Sequence, residues 1–404
     1  MNSAGITTFR LFASKLGSKT TAPLRFASSA TFETHDYKLH HLTEPPSKKA
    51  TVTSEEVKDY YKKMQTIRRL ETEAGALYKE KRIRGFCHLY TGEEACAVGL
   101  HAAMDPNDAV ITSYRCHGLA YLLRNNVTEI LSEMTGRIAG NVYGKGGSMH
   151  MYAKHFFGGN GIVGAQVPLG AGAAFAFKYR NQKNVCFALY GDGAANQGQI
   201  SEAFNMAELW QIPVIFVCEN NGYGMGMKAT RSSASTEYYK RGDFVPGIWV
   251  DGMDILSVRE GFKYARDFCN SGKGPIVVEL NTYRYVGHST IEKRHGYRTE
   301  EEIQDVRSHR DCIVKFREQC VQSKIVSAEE FKEIDKNVHD EVTKAVKIAR
   351  EDDELPMEGL YTDLYKNTPP QVVRGATPFE SVKQPFVTTS ELVEKQLKRK
   401  PVIF

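Results

Sequence analysis

Oxygen-bearing side chains follow two apolar runs that are separated by one helical segment. Asp192 comes after the run at 185–190, and Asn221 comes after the run at 213–219, with a helical composition at 194–210 between them. This order predicts a right-handed strand–helix–strand unit, whose parallel strands lie about 4.8 Å apart and end at the same edge of a sheet. We therefore expect Asp192 and Asn221 to lie close together, as a pair of ligands that suits Mg²⁺.

The G-D-G turn at 191–193 predicts a phosphate site beside that metal. Gly193 and Ala194 open the predicted helix, whose free N–H groups and positive dipole end attract a phosphate. The sequence thus predicts a magnesium-bound diphosphate. Two commoner phosphate motifs do not match, because Asn196 replaces the third glycine of a dinucleotide fingerprint and Lys145 is followed by glycine rather than the Ser or Thr of a P-loop.

The surrounding pattern predicts an α/β fold in which a mostly parallel sheet is flanked by helices. A capping box formed by Thr53 and Glu56 should begin a helix that extends to about residue 80. Further strands are expected at 108–114 and 275–285, further helices at 119–137 and 255–269, and a charged helical region up to about residue 350. Segment 140–172 has ten glycines in 33 residues, so we expect backbone close to a ligand there and neither helix nor strand.

Composition limits the class of protein. With 41% hydrophobic and 25% charged residues, the chain is globular and has enough apolar side chain for a large core. The longest apolar run, at 212–218, has seven residues, far fewer than the ~20 that cross a bilayer, so no membrane span is predicted. The eight cysteines include no C-x-x-C pair, which argues against a zinc cage and a disulfide framework and favours a reducing compartment.

Positive charge is concentrated at the start of the chain. Residues 1–32 hold four basic residues, ten Ser or Thr and no acid, a composition typical of an organelle transit peptide. The net charge is +5 for the whole chain and +1 for residues 33–404, which offers no general case for a nucleic-acid partner. Mitochondrial import is therefore the leading interpretation, and a merely disordered basic N-terminus is the alternative.

Several motifs, taken in order, identify a family. The G-D-G at 191–193 and the N-N at 220–221 resemble the two ends of a thiamine diphosphate motif. Further stretches are FCHLY at 86–90, GKGGSMHMYAK at 144–154, GGNGIVGAQVPLG at 158–170, YYKRGDF at 238–244 and YRYVGHS at 283–289. Over roughly residues 50–370 the chain closely resembles the alpha subunits of the decarboxylating component of the mitochondrial pyruvate dehydrogenase complex.

The resemblance implies a thiamine diphosphate-binding fold and a set of metal and phosphate ligands. Asp192 and Asn221 would bind magnesium through their side chains, and Tyr223 through its backbone carbonyl. Tyr114 and Arg115 would hold the diphosphate, Arg115 through its bidentate guanidinium.

Further site residues are also implied by the resemblance. Gly161 and Val163 would present backbone to the cofactor, although without the family they would read as a loop glycine and a core valine. His88 would contact the 2-oxo acid. His288 would orient substrate and assist proton and acetyl transfer, and both imidazoles are expected to titrate near neutral pH. Ser289 matches the family's kinase target, whereas two further target positions hold Lys228 and Gly296.

The implied activity is oxidative decarboxylation of pyruvate with reductive acetylation of a lipoyl group, in the mitochondrial matrix, feeding acetyl-CoA formation. In such enzymes a glutamate on a separate pyrimidine-binding domain activates the cofactor, and this chain has no second α/β domain of adequate length. We therefore expect an alpha2beta2 heterotetramer with a beta subunit. The implied partners are the lipoyl domains of dihydrolipoyl transacetylase and a pyruvate dehydrogenase kinase and phosphatase.

The chain is expected to divide into four segments. These are a transit peptide at 1–30, an extended linker arm at 31–52, a thiamine diphosphate domain with a helical C-terminal part at 53–370, and a peripheral tail at 371–404.

Two rival functions stay open at this point. The corresponding subunit of the branched-chain 2-oxo acid dehydrogenase usually reads GEGAASEG where this chain reads GDGAANQG. A non-catalytic regulatory paralogue is the second rival, and the intact ligand positions argue against it.

Overall fold

The computed structural model describes residues 27–292, 297–364, 371–374, 377, 379, 381–384 and 387–399. Most of the expected transit peptide at 1–30 therefore lies outside the described residues. The strands are β1 (Ser29–Glu33), β2 (Lys38–His40), β3 (Lys49–Thr53), β4 (Ala109–Ser113), β5 (Phe156–Asn160), β6 (Cys186–Gly191), β7 (Val214–Asn220), β8 (Gly247–Asp251), β9 (Ile276–Asn281), β10 (Gln371–Arg374) and β11 (Ser381–Gln384).

The helices cover a larger part of the chain than the strands. They are α1 (Ser54–Lys79), α2 (Glu94–Ala103), α3 (His117–Arg124), α4 (Val127–Met134), α5 (Gln166–Tyr179), α6 (Gly198–Leu209), α7 (Ala229–Ser232), α8 (Ile255–Phe268), α9 (Glu300–Arg310), α10 (Cys312–Gln322), α11 (Ala328–Glu351) and α12 (Thr389–Leu397). None of the described helices is long and apolar enough to cross a membrane.

A seven-stranded sheet forms the centre, in the order β2-β8-β9-β7-β6-β4-β5. Every pairing in it is parallel except that of β2 with β8 at one edge. The strands β6 and β7 are neighbours, with Gly191 opposite Glu219. The predicted strand–helix–strand unit and the mostly parallel sheet are thus confirmed.

Both faces of this sheet are buried. Alternate residues of each strand point to opposite faces, so one strand contributes apolar side chains to two cores. In β7, Ile215 and Val217 join a core shared with α1, α2, α8, α10 and α11, whereas Phe216 and Cys218 join a second core shared with α5 and α6. The helical region after β9 closes one side of the molecule, since α11 packs against α1 and α4. The predicted capping box at Thr53 and Glu56 begins α1 as expected.

The arm at 31–52 and the tail at 371–404 pack against the rest of the protein more closely than their sequences suggested. The arm at 31–52 is extended, but β2 adds to the central sheet and β1 pairs with β3, whose Ala50 and Val52 are fully buried. In the expected tail, Val393 of α12 is buried beside Ile138 and Tyr143. The division of the chain into domains stays a prediction.

Three local expectations were wrong. The helix predicted at 119–137 is two helices, α3 and α4, because Asn125 adopts a left-handed conformation (φ 53°) and the Asn126 side chain caps α4. The segment 140–172 contains β5 and the start of α5. Glycine permits close packing here, since a Cβ on Gly170 would lie 2.6 Å from the Cβ of Ala188 in β6.

The third error concerns the helix predicted at 194–210. A short 3-10 turn, Ala194–Asn196, comes first, and α6 begins only at Gly198. Gly193 and Ala194 therefore belong to this turn and not to the first turn of α6.

The glycine-rich segment is organised around the buried carboxylate of Glu133. Its Oε2 accepts hydrogen bonds from the N–H groups of Val142 and Gly144, each at 2.9 Å, and its Oε1 from those of Gly146 and Gly147 at 2.7 and 3.2 Å. Gly144 and Gly147 have φ of 76° and 63°, a region that side chains disfavour. One carboxylate thereby fixes a loop that has little side-chain packing of its own.

We expect Glu133→Gln to lower the free energy of unfolding by about 2–3 kcal/mol, because an amide keeps only one acceptor oxygen and turns a donor toward backbone N–H groups. Thermal or denaturant unfolding measures this, and limited proteolysis should newly cut near residues 136–150. Glu129→Gln is the control, since Glu129 lies on the same helix as Glu133 but accepts from the side chains of Arg124 and Asn126 and not from the glycine-rich segment. It should change stability by about 1 kcal/mol or less and should leave residues 136–150 uncut. Equal effects of the two changes would contradict the role of Glu133.

Candidate functional site

The predicted site residues converge on one cavity of about 600 Å³ at the carboxyl edge of the central sheet. It is lined by His88, Tyr114, Arg115, Gly161, Val163, Asp192, Gly193, Ala194, Asn221, Tyr223, His288 and Ser289. These residues come from six separate stretches of the chain, so the fold brings together every position that the sequence marked. Their individual roles remain predictions.

Asp192 is placed by the end of β6 and is buried, with 2% of its surface exposed. Its Oδ2 has no hydrogen-bond partner among the described residues. Burial raises the pKa of Asp192 to about 6, although the nearby Arg284 opposes this. A buried carboxylate oxygen without a partner is costly, and a divalent cation would satisfy it.

Asn221 and Tyr223 follow β7 and face the same region. The Oδ1 of Asn221 accepts hydrogen bonds from the Tyr223 N–H at 3.2 Å and from Nη1 of Arg284 at 3.1 Å. The same Nη1 lies 3.3 Å from the carbonyl oxygen of Tyr223. These two oxygens therefore accept from the same guanidinium and lie at one corner of the cavity.

Arg284 and Glu93 are site residues that the sequence reasoning missed. Arg284 is 1% exposed, lines the cavity and keeps a buried Nη2 with no partner in the described part of the chain. It lies within the motif YRYVGHS quoted above. An arginine flanked by aromatic residues and glycine was the feature of the sequence that could have marked it as a site residue. Glu93 is also 1% exposed and lines the cavity, but nothing in the sequence separates it from the adjacent Glu94.

Arg115 supplies the second positive charge. Its Nη1 donates to the carbonyl of Leu89 at 2.6 Å and its Nη2 to that of His288 at 3.0 Å, which fixes the guanidinium at the cavity wall. Burial, and then the charge of Arg284, lower the pKa of Arg115. Two buried guanidinium groups around one cavity fit an anion of high charge such as a diphosphate.

The two candidate imidazoles are close together, but they do not titrate near neutral pH. The ring centroids of His88 and His288 are 5.4 Å apart, and Tyr114 contacts both, with its hydroxyl 3.2 Å from Nε2 of His288. Burial and the charge of Arg115 lower the pKa of His88 to about 2 and that of His288 to about 3. Both rings are therefore neutral at pH 7, which corrects the earlier expectation.

Each of these imidazoles retains an uncommitted nitrogen. The Nδ1 atoms of His88 and His288 are buried and have no hydrogen-bond partner in the described residues. A neutral ring provides one N–H donor and one lone pair. The pair can thus orient a ligand in the cavity by hydrogen bonding while carrying no charge of its own.

The glycine-rich side of the cavity is more open. Val163 is 41% exposed, so the alternative reading of it as a core valine is wrong. A Cβ on Gly161 would lie 3.6 Å from the ring of His150. This arrangement leaves backbone accessible where a cofactor could approach.

Ser289 is 9% exposed and lies beside His288. Arg298 donates to the carbonyls of Arg284 and Val286, and the carboxylate of Glu292 accepts the His288 N–H at 2.6 Å. These contacts hold the backbone that leads into the serine. Gly296, one of the two positions where the family has a further target serine, lies outside the described residues.

The donor set is not that of a metal-only site. No group of three or more His, Cys, Asp or Glu side chains able to hold a metal occurs within the described ranges. All eight cysteines are buried and free. One carboxylate, one amide and one backbone carbonyl would instead leave part of the coordination sphere to ligand oxygens, as Mg²⁺ prefers.

Comparison with known proteins gives one consistent result. A family model described as "Dehydrogenase E1 component" matches residues 62–358. The probable pyruvate dehydrogenase E1 component subunit alpha, mitochondrial, of Caenorhabditis elegans is 60% identical over 95% of this chain and 98% of its own length. The type II alpha subunit of Ascaris suum is 59% identical over 91% and 94%, and the human somatic form is 56% identical over 88% and 91%.

We expect Asp192→Asn to weaken binding of a divalent cation at least tenfold, because it removes the one charged ligand of the predicted metal set. Mn²⁺ titration in the presence of thiamine diphosphate, followed by electron paramagnetic resonance, measures this. The fold should survive, since the native carboxylate is buried without a full set of partners. Asp267→Asn, at an exposed position on α8, is the matched control. Unchanged Mn²⁺ affinity in Asp192→Asn would show that the metal assignment is wrong.

Proposed function

The chain belongs to the dehydrogenase E1 component family, and we propose that it acts as the alpha subunit of a mitochondrial pyruvate dehydrogenase. It would take part in the oxidative decarboxylation of pyruvate in the mitochondrial matrix, with transfer of the acetyl group to a lipoyl arm. The observation that carries this proposal is the convergence of the twelve predicted site residues on one cavity at the carboxyl edge of the central sheet. Identity of 56–60% to pyruvate dehydrogenase alpha subunits over most of the chain supports it.

Thiamine diphosphate is the cofactor that membership of the family implies, and we propose magnesium as its metal. When bound, thiamine diphosphate supplies a nucleophilic carbon and an electron sink for decarboxylation of a 2-oxo acid. Asp192, Asn221 and the Tyr223 carbonyl would hold the metal, because they gather an unpartnered carboxylate oxygen and two further oxygens at one corner. Arg115 and Arg284 would balance the negative charge of the diphosphate.

The protein's own residues would orient the substrate. His88 and His288 each present a buried Nδ1 that has no partner within the described residues, so a carboxylate or ketone oxygen could occupy the space between them. Tyr114 keeps His288 in place through the contact between its hydroxyl and Nε2. Neutral imidazoles can hydrogen-bond a bound oxygen, whereas the surrounding guanidinium groups favour an anionic substrate.

The named relatives favour pyruvate over a branched-chain 2-oxo acid. The human, C. elegans and A. suum relatives are all pyruvate dehydrogenase alpha subunits. Carbon dioxide release from pyruvate and from 3-methyl-2-oxobutanoate, compared in the purified alpha–beta complex, tests the choice. We expect strong preference for pyruvate, and equal release from both substrates would favour the branched-chain function. No release from either would favour a non-catalytic paralogue.

The surface of the molecule contains an exposed apolar patch that is evidence for a partner chain. Large apolar side chains are exposed together on α5 and α6, where Phe175 lies 5.8 Å from Trp210 and 6.3 Å from Tyr179 between ring centroids. Leu209 beside them is 72% exposed. Exposed apolar patches of this kind mark protein interfaces. We propose that a beta subunit completes the active site and that the assembly is an alpha2beta2 heterotetramer serving the lipoyl domains of dihydrolipoyl transacetylase.

We expect the chain expressed alone to lack pyruvate decarboxylation and to gain it when the beta subunit is added. The physical reason is that the glutamate that activates the pyrimidine ring in such enzymes belongs to a second α/β domain, whereas the described residues form one central, mostly parallel sheet. A carbon dioxide release assay with and without the beta subunit measures this, and a sedimentation run shows whether the complex has formed. Full turnover by the isolated chain would contradict a divided active site.

We also propose that a pyruvate dehydrogenase kinase and phosphatase regulate the enzyme at Ser289. A phosphate there would add about −1.5 to −2 charges beside His288. It would also lie near Glu292, whose carboxylate accepts the His288 N–H and the Tyr297 hydroxyl. Repulsion between the phosphate and this carboxylate should disturb the backbone that carries the imidazole.

We expect Ser289→Glu to lower overall complex activity at least tenfold, and Ser289→Ala to abolish inactivation by the kinase. NADH formation by the assembled complex, before and after treatment with kinase and ATP, measures both effects. Ser308→Ala is the control, because Ser308 is exposed on α9 away from the cavity. Inactivation of Ser289→Ala at the parent rate would contradict a single regulatory serine.

A further inference from the structure

Two consecutive glutamates at the start of α2 point in different directions. Glu94 is fully buried and pairs with Arg68 and with the Gly92 N–H, away from the cavity. Glu93, the residue before it, is 1% exposed and lines the cavity. A buried carboxylate is costly unless its partners repay the loss of water, so the partners of Glu93 indicate its purpose.

Glu93 contacts groups from both halves of the proposed cofactor site. Its Oε1 accepts a hydrogen bond from Nδ2 of Asn221 at 3.0 Å, in a fully buried contact. Its Oε2 lies 3.7 Å from Nε of Arg115 and has no hydrogen-bond partner within the described chain. One carboxylate thus lies between the amide proposed as a metal ligand and the guanidinium proposed to hold the diphosphate.

The contact with Asn221 determines which end of the amide meets the metal. An ionised carboxylate accepts hydrogen bonds and donates none, so Glu93 can face only the NH₂ group of the amide. The opposite atom, Oδ1, is then directed toward the Tyr223 N–H and Arg284. Only that oxygen could bind a cation, whereas a flipped amide would turn two donors toward it.

We propose that Glu93 is a positioning residue that holds the Asn221 amide with its oxygen toward the metal and braces Arg115 beside it. The proposal rests on the metal ligands given under the proposed function. Glu93 also works against the site, because its charge contributes to raising the pKa values of Asp192 and Glu219, in each case after burial. A carboxylate that contributed only negative charge would therefore destabilise the ionised forms of Asp192 and Glu219. A hydrogen-bond acceptor at this position, in contrast, orients the Asn221 amide.

Substitution of Glu93 by glutamine and by leucine separates the effect of its hydrogen-bond acceptor on metal binding from the effect of its charge. Glu93→Gln keeps a carbonyl oxygen that can accept from Nδ2 of Asn221, and Glu93→Leu keeps neither acceptor nor charge. In the assembled alpha–beta complex with saturating thiamine diphosphate, we expect Mn²⁺ affinity within about threefold of the parent for Glu93→Gln. For Glu93→Leu we expect a loss of at least tenfold, since the Asn221 amide is then left without its acceptor. Electron paramagnetic resonance of Mn²⁺ reads this without reference to turnover.

A charge-conserving exchange tests the pair directly. Asn221→Asp alone sets two carboxylates against each other and should lose Mn²⁺ affinity at least tenfold. Adding Glu93→Gln to Asn221→Asp restores the hydrogen bond in the reverse direction, with the glutamine NH₂ donating, and keeps the net charge of the parent. We expect the double variant to recover at least threefold of the lost affinity, which is the non-additivity that a direct contact produces.

Glu94→Gln is the matched control, because it removes an equally buried neighbouring carboxylate that does not line the cavity. It should leave Mn²⁺ affinity unchanged even where it lowers thermal stability. The proposal is overturned if Glu93→Leu binds Mn²⁺ like the parent, if Glu93→Gln is as weak as Glu93→Leu, or if the double variant is no better than Asn221→Asp. Failure of the proposed function would look different, since the parent complex itself would then not bind Mn²⁺ together with thiamine diphosphate.

Discussion

The parallel pairing of β6 with β7 is the constraint on which the rest of this site depends. Because the two strands run in the same direction and end side by side, Asp192 and Asn221 emerge at one edge although they are far apart in sequence. Each strand is buried on both faces, so a register shift would move apolar residues out of one core and into the other. The cores of the sheet thereby fix the position of the polar residues that follow it.

Buried groups of both charges line the cavity. Arg115 and Arg284 bring two buried positive charges, while Asp192 and Glu93 bring two carboxyl groups whose charges are only partly paired. Burial, and then the charge of Glu93, raise the pKa of a third carboxyl group, that of Glu219, to which the Tyr90 hydroxyl donates. The low pKa values of the two histidines follow from the same burial and the same guanidinium groups.

The sequence was sufficient to predict the mostly parallel sheet and the meeting of Asp192 with Asn221, and the family motifs marked further residues that line the cavity, although they missed Arg284. It was not sufficient where a single backbone contact decides the structure. The break at Asn125 depends on one left-handed residue, and the order of the glycine-rich segment depends on Glu133, which lies on a helix outside that segment. Histidine pKa values could not be foreseen, because they depend on guanidinium groups that only the fold brings near. Glu93 could not be told from Glu94, because the direction of a side chain at a helix start is set by tertiary contacts.

The central claim is that this cavity binds a divalent cation through Asp192, Asn221 and the Tyr223 carbonyl while its guanidinium groups hold a diphosphate. Crystals of the alpha–beta complex grown with Mn²⁺ and thiamine diphosphate test it most directly, through the anomalous scattering of manganese. The account predicts one anomalous peak in each alpha chain, in direct contact with those three oxygens and with the diphosphate. A peak elsewhere, or an ordered diphosphate in the cavity with no peak beside Asp192, would contradict it.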